Sequence, residues 1–240
     1  MTTLICVCYY QHMEKKQNRL TRIFNVERLK MRIFLCIVGT ILCGVSVGFF
    51  KYAAFGVDPF TSFVSGLDKV SPIEYGMLYI VINAVLLIVS LIFDRHMIGL
   101  GTIVNLFLVG YLAQYSQQFL TSLLSSDSII ARIICLVTGI VGLCFSCGLY
   151  MPADMGVSTY DAIAIIMDKK WHIGKFKYNR IATDFVCVII GSVLYLMSGE
   201  PLSTLTTIVG IGTIITAFFM GPLVDFFANK FTRKYLLKEN

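Results

Sequence analysis

Charge is the scarcest property of this chain. Asp, Glu, Lys and Arg make up 14% of its 240 residues, against about 25% in average soluble domains. Mean hydropathy is +0.78. That deficit excludes an ordinary soluble domain. Histidine is nearly as rare: His12, His96 and His172 are scattered with no ligand spacing, so no metal site is expected. The chain also lacks an H-E-x-x-H, a Walker sequence, a dinucleotide fingerprint and a serine elbow. No catalytic set is visible, and the expectation is a protein that is not an enzyme and carries no cofactor.

Nor is there a disulfide framework among the eight cysteines. Cys36, Cys43, Cys135, Cys144, Cys147 and Cys187 fall inside apolar runs, where cysteine acts as a small hydrophobe. Cys144-x-x-Cys147 lies in mid-run, with no second pair and no nearby histidine to complete a zinc or redox site. Cys6 and Cys8 belong to a short apolar start, Leu4 to Tyr10, that precedes a basic cluster. A signal peptide has the reverse order. Met13 and Met31 are alternative starts.

Among the features present, the basic cluster comes first. Seven Lys and Arg residues lie between Lys15 and Arg32. The stretch lacks the interleaved aromatics of a stacking platform, so nucleic acid is not the expected partner. It fits a cytoplasmic flank under the positive-inside rule, touching anionic head groups.

The second feature is a repeat. Gly48, Ala53, Gly56 and Val57 recur as Gly148, Ala153, Gly156 and Val157. Gly101-Thr102-Ile103, Phe107, Gly110 and Leu112 recur, after an insertion, as Gly212-Thr213-Ile214, Phe218, Gly221 and Leu223. Two matched blocks in one order predict two homologous halves.

Spanning a bilayer takes about 20 mostly apolar residues. Six stretches are expected to do so, at about 33–54, 76–93, 97–114, 129–151, 180–198 and 203–227. The Gln- and Ser-rich segment 114–128 reads as an external loop between the halves. Two shorter segments, 57–70 and 157–167, open on the cap and first-turn chemistry of Asp58-Pro59 and Ser158-Thr159. These read as half-helices. The fold expected is an all-α polytopic membrane bundle of six transmembrane helices plus two half-helices with an internal two-fold repeat. Its divisions are a basic segment 1–32, repeats 33–128 and 129–228, and a basic tail 229–240.

Counting charge orients it. With an inside N-terminus, 17 of the 20 Lys and Arg residues fall on the cytoplasmic side, so both termini are cytoplasmic. Three spans per repeat make the halves inverted copies. An alternative in which the short segments also cross gives four spans per repeat and parallel copies; both arrangements occur among transporters.

Glycines mark the expected contacts between helices: Gly44-x-x-x-Gly48, Gly139, Gly142 and Gly148, and the pairs Gly101/Gly212 and Gly110/Gly221. Thr102 and Thr213 are placed to cap free amides or face a pore. G-V-D-P at Gly56–Pro59, G-x-G-T at Gly99–Thr102, G-V-S-T-Y-D at Gly156–Asp161, G-I-G-T at Gly210–Thr213, Arg180-x-x-x-Asp184 and Gly221-Pro222 together resemble the YczE/YitT-type bacterial integral membrane proteins over roughly 33–228. The resemblance implies a multi-pass protein of the bacterial cell membrane and no particular substrate. Asp184 stands where that family tends to have glutamate, and Ser158, Thr159 and Tyr160 where proline and arginine are common.

Ionisable groups in or beside spans are functional candidates. Arg180 and Asp184 share one helical face. If the second half-helix folds against that span, Asp161 joins them in a carboxylate–guanidinium–carboxylate network. A plain ion pair at the helix end is the other reading. Asn83, in mid-span, is the approximate counterpart of Asp184 and is suited to an interhelical hydrogen bond. Asp58 joins Asp161, Arg180, Asp184 and Asn83 as a binding candidate, with a helix cap as its other reading; Asp154 and Asp225 lie near span ends. The functions these features suggest are transport of a small solute or ion, or a non-transporting scaffold for another membrane protein. The partners expected are the lipid bilayer, a small solute or a membrane protein, and further copies of the chain in an oligomer.

Overall fold

In the computed structural model, residues 26–94, 98–124, 128–153, 155–174 and 176–233 are described. The basic start 1–25 and the tail 234–240 lie outside them, as do His12, His96 and Asp154. Among the described residues eight α-helices follow one another: α1 (Val26–Ala53), α2 (Pro59–Val70), α3 (Tyr75–Phe93), α4 (Leu100–Leu123), α5 (Ile129–Tyr150), α6 (Thr159–Lys169), α7 (Phe176–Met197) and α8 (Ile211–Phe227). Short 3-10 turns cover Met151–Ala153 and Leu202–Thr207, and a π-helical turn, Ala228–Arg233, follows α8. No strand occurs among the described residues. The all-helical expectation holds, and short helices occur near both expected places, at Pro59–Val70 and Thr159–Lys169. Leu29–Ala53, Tyr75–Phe93, Ile129–Ala153 and Tyr178–Met197 are long and apolar enough to cross a membrane.

Two boundaries differ from those read in the sequence. The expected loop 114–128 is helical as far as Leu123, because α4 runs on through it. No Gly or Pro interrupts Gln114–Leu123, and Gln and Leu favour helix. The polar side chains are also used: Gln114 Oε1 accepts the Gly76 N–H at 2.8 Å, and its Nε2 donates to Glu74 Oε2 at 3.0 Å. The expected last span, 203–227, is broken instead. Hydroxyls in Leu202–Thr207 bond locally, Thr204 to the Pro201 carbonyl and Thr207 to the Thr204 carbonyl at 2.7 Å each. Such bonds compete with the α-helical ladder, and α8 starts only at Ile211.

Close glycine contacts fix helix directions. Gly39 faces Ser146 and Tyr150, whereas Gly139 faces Ser46 and Phe50, so α1 and α5 are antiparallel. Gly44 meets Val109 and Leu112, and Gly48 meets Ala113 and Ser116, so α4 runs with α1. Tyr79 against Gly110 and Gln114 against Gly76 set α3 against α4. Leu136 beside Gly212 and Phe227 beside Gly148 make α8 parallel to α5. A Cβ at Gly48 would land on the Ser116 hydroxyl, and one at Gly66 on the Gly191 carbonyl of α7. Close backbone approach supplies the cohesion that hydrophobicity cannot provide inside lipid.

One consequence concerns the short helices. α2 and α3 form a hairpin across residues 71–74, so α2 is antiparallel to α3 and runs in the same sense as α1. The chain therefore leaves α1, doubles back through 54–58, and runs again in the direction of α1 as α2. α6 likewise runs with α5: Thr159 meets Asn83 and Trp171 meets Phe93, which sets α6 parallel to α3. The core is centred on α1, α3, α4 and α5, with Phe50, Ala53, Val109, Ala113 and Cys144 almost fully enclosed. Ile88, Ile92, Ile130, Phe185 and Met197 are exposed on the outside, the apolar exterior of a protein solvated by lipid.

Candidate functional site

Each short helix starts on local cap chemistry. Asp58 Oδ1 accepts the Thr61 N–H at 3.1 Å, and Pro59 opens the first turn of α2. At α6, Ser158 Oγ accepts the Asp161 N–H at 3.2 Å and donates to Asp161 Oδ2 at 2.9 Å. Just before the caps, Gly56 has φ +93° and Gly156 φ +115°, a conformation other residues rarely adopt.

These two glycine turns contact the opposite half in a matched way. The Gly101 N–H donates to the Met155 carbonyl at 2.8 Å, and the Gly212 N–H to the Phe55 carbonyl at 2.8 Å. Thr102 Oγ1 accepts the Gly99 N–H at 3.3 Å, as Thr213 Oγ1 accepts that of Gly210 at 3.1 Å. The match ends there. Thr102 also donates to the Val157 carbonyl of the other half at 2.7 Å, whereas Thr213 reaches the Ile208 carbonyl of its own half at 3.4 Å.

The short helices meet at their starts, where the Phe60 and Tyr160 rings stack with centroids 4.9 Å apart. Around them lies a cavity of about 160 Å³, lined by Asp58, Asn83, Asn105, Asp161, Arg180 and Asp184, among others. All five polar candidates named from the sequence as a binding set therefore share one space.

Arg180 is the centre of the network. Its Nε lies 3.1 Å from Asp161 Oδ1 and its Nη1 2.6 Å from Asp184 Oδ1. Its guanidinium also sits 4.0 Å from the Tyr160 ring centroid. The Tyr160 hydroxyl donates to Asp184 Oδ1 at 2.8 Å. Charged hydrogen bonds of this kind are shorter and stronger than neutral ones. Asn83 bridges α3 and α6: its Nδ2 donates to the Tyr79 carbonyl at 2.8 Å, and its Oδ1 accepts from the Thr159 hydroxyl. Three carboxylates and one guanidinium leave an excess of two negative charges by formal count. The positive ends of two short helices offset part of it. Among the described residues no cluster suited to a metal ion is present.

Other candidates are elsewhere. Gly110 packs on Tyr79 as a helix contact. Gly221 and Asp225 lie on α8, where only the helical backbone is described. His172 occupies the turn after α6 at φ 52° and does not line the cavity. Asn105 lines it and was not singled out in the sequence. Arg132 was also missed: its Nε and Nη2 donate to the Ala53 and Ala54 carbonyls at 2.9 and 3.0 Å, and its guanidinium lies over Phe55. It secures the end of α1 where the chain turns back. The signal was available, since the repeat offset pairs Arg132 with Arg32.

A family described as being of unknown function, DUF6198, matches residues 30–229, and the chain belongs to it. An uncharacterized protein of Haemophilus influenzae is 21% identical over 192 residues, which cover 80% of this chain and 81% of the relative. The uncharacterized membrane protein YczE of Bacillus subtilis is 23% identical over 175 residues, 72% of this chain and 74% of the relative. The YczE-type resemblance read from the motifs is thus the family relationship. No solved structure matches. Together with its apolar helices, these relationships make this a membrane protein of a YczE-type family.

Proposed function

We propose that the protein moves a small solute or ion across the bacterial cell membrane, with the cavity between the starts of α2 and α6 as its binding site. One observation carries this reading. Two short helices, each doubling back after a long helix, begin in the same polar cavity. Interrupted helices that end at a shared site are the usual way a helical membrane protein presents backbone and charge to a passing solute.

The antiparallel α1 and α5, with the exchanged Gly101–Met155 and Gly212–Phe55 bonds, support an inverted internal repeat. In that arrangement α2 and α6 re-enter from opposite faces and do not cross, which favours the three-plus-three count over four parallel spans per half. Basic residues concentrated before α1 and after α8 support cytoplasmic termini.

The cavity's size limits the cargo. At about 160 Å³ it holds several waters but falls below the 300–1,000 Å³ of drug-sized sites. Coulomb attraction between unit charges at 4 Å is about 4 kcal/mol at an effective dielectric of 20. A cationic group on the solute would therefore meet an attraction of that order from the excess carboxylate charge of Asp58, Asp161 and Asp184. The test is flux into vesicles holding purified protein, across small anions, cations and zwitterions, for wild type and Asp184→Asn. Wild-type flux of one class, reduced at least tenfold by Asp184→Asn, is the expected result. Wild-type flux equal to that of empty vesicles across the whole panel would overturn the reading.

A further inference from the structure

Away from the central cavity, a second hollow of about 560 Å³ opens between the end of α1, the turn from α2 to α3, and the last turns of α4. Its volume lies within the range of small-molecule sites. Most of its lining residues carry polar groups: Lys51, Asp68, Glu74, Gln114, Gln117 and Gln118 contribute, together with Tyr75. The stretch from Gln114 onward, which the sequence suggested was a loop, here forms one wall as regular helix.

The wall is braced. Gln114 is held by the Gly76 N–H and by Glu74, which fixes one carboxylate at the rim. Lys51 Nζ lies 3.2 Å from the Tyr75 ring centroid. That cation–π contact uses none of the three ammonium hydrogen-bond donors. Tyr75 is 3% exposed, and its hydroxyl is buried with no hydrogen-bond partner among the described residues. Tyr75 in turn lies against Tyr79, with ring centroids 6.3 Å apart, and Tyr79 lines the central cavity. Two aromatic rings thus separate the hollows.

We propose that this outer hollow binds a small zwitterion as the entry site to the central cavity. The solute's carboxylate is received by the Lys51 ammonium and the Gln117 and Gln118 amides, and its ammonium by Asp68 and Glu74. One basic and two acidic side chains around a single space match a solute carrying both charges better than a simple anion or cation. The entry role rests on the transport reading; the binding does not.

The test is equilibrium binding of labelled glycine, acetate and methylammonium to the full chain in lipid nanodiscs. Glycine should bind at least tenfold more tightly than either single-charge probe. Lys51→Met should weaken glycine at least tenfold, Asp68→Asn should also weaken it, and Lys170→Gln, a lysine that lines neither hollow, should leave it within threefold. Matched melting temperatures establish that the variants are folded. No glycine binding, equal binding of acetate, or loss in Lys170→Gln but not in Lys51→Met would each overturn the proposal. Glycine binding of the expected pattern, with no flux of any solute in vesicles, would leave the outer site standing and remove the transport reading.

Discussion

Phe60 and Tyr160 stack ring on ring, centroids 4.9 Å apart and planes inclined by 28°. Each is the second residue of its short helix, and the two positions correspond under the repeat. This one contact joins the starts of α2 and α6 and brings Asp58 and Asp161 to the same cavity. Aromatic pairs of this kind add about 0.5–1.5 kcal/mol beyond their burial.

The two parts of Tyr160 can be separated. Tyr160→Phe keeps the stack and removes the hydrogen bond to Asp184, so it should cost about 1.5–3 kcal/mol, the range for bonds to charged groups. Phe60→Leu removes the stack and spares the Arg180 network. Thermal unfolding in detergent should show Tyr160→Phe sensitive to removal of the Asp184 charge and Phe60→Leu insensitive to it. Equal sensitivity would show that the stack and the network are one unit.

Arg180 should be the most costly single loss in the site. Its removal strands Asp161 and Asp184, whose side chains are 12% and 25% exposed. Breaking fully buried pairs costs about 3–5 kcal/mol, and partial exposure brings the expectation for Arg180→Gln to about 2–3 kcal/mol. Neutralising both carboxylates in the same chain, as Asp161→Asn and Asp184→Asn, should recover most of that loss. A triple variant no more stable than Arg180→Gln would mean that the guanidinium acts mainly through its packing on Tyr160.

The two threonine caps should differ. Thr102 donates to the Val157 carbonyl of the opposite half at 2.7 Å, while the Thr213 hydroxyl donates only within its own half, to the Ile208 carbonyl at 3.4 Å. Thr102→Val should destabilise by about 1 kcal/mol more than Thr213→Val, read from the two melting temperatures. The reverse order would contradict the stronger tie at Thr102.

Gly66 and Gly191 bring α2 and α7 into backbone contact. Gly66→Leu should cost at least the 1–3 kcal/mol of ordinary overpacking, because the atom it strikes is a carbonyl that cannot rotate away. Hydrogen exchange should show α2 opening before α1 in this variant. Unchanged protection of α2 would argue against the close crossing.

The short helices were legible in the sequence because capping is local: Asp58-Pro59 and Ser158-Thr159 announce their starts within two residues. Arg180 and Asp184 were legible through their spacing of four, and the Gly101/Gly212 match through the repeat. The continuation of α4 was not, because Gln and Ser suggest a loop when nothing shows that Gln114 is held by Glu74 and Gly76. The break before Ile211 was hidden in the same way, since its threonine hydroxyls bond to carbonyls that only a folded backbone brings near. Gly66 and Gly191 belong to no repeated motif, and their pairing depends on how α2 lies along α7. Asn105 reaches the cavity through a register of α4 that no local pattern reveals.

The proposed inverted arrangement of the halves is tested most directly by the turns after α2 and α6. In a cysteine-free background, single cysteines at Ser71 and His172 mark the turn after α2 and the turn after α6. They would be probed with an impermeant thiol reagent on intact and on permeabilised cells. Labelling of the Ser71 position in intact cells, and of the His172 position only after permeabilisation, is the expected result. Labelling of both positions from the same side would contradict it.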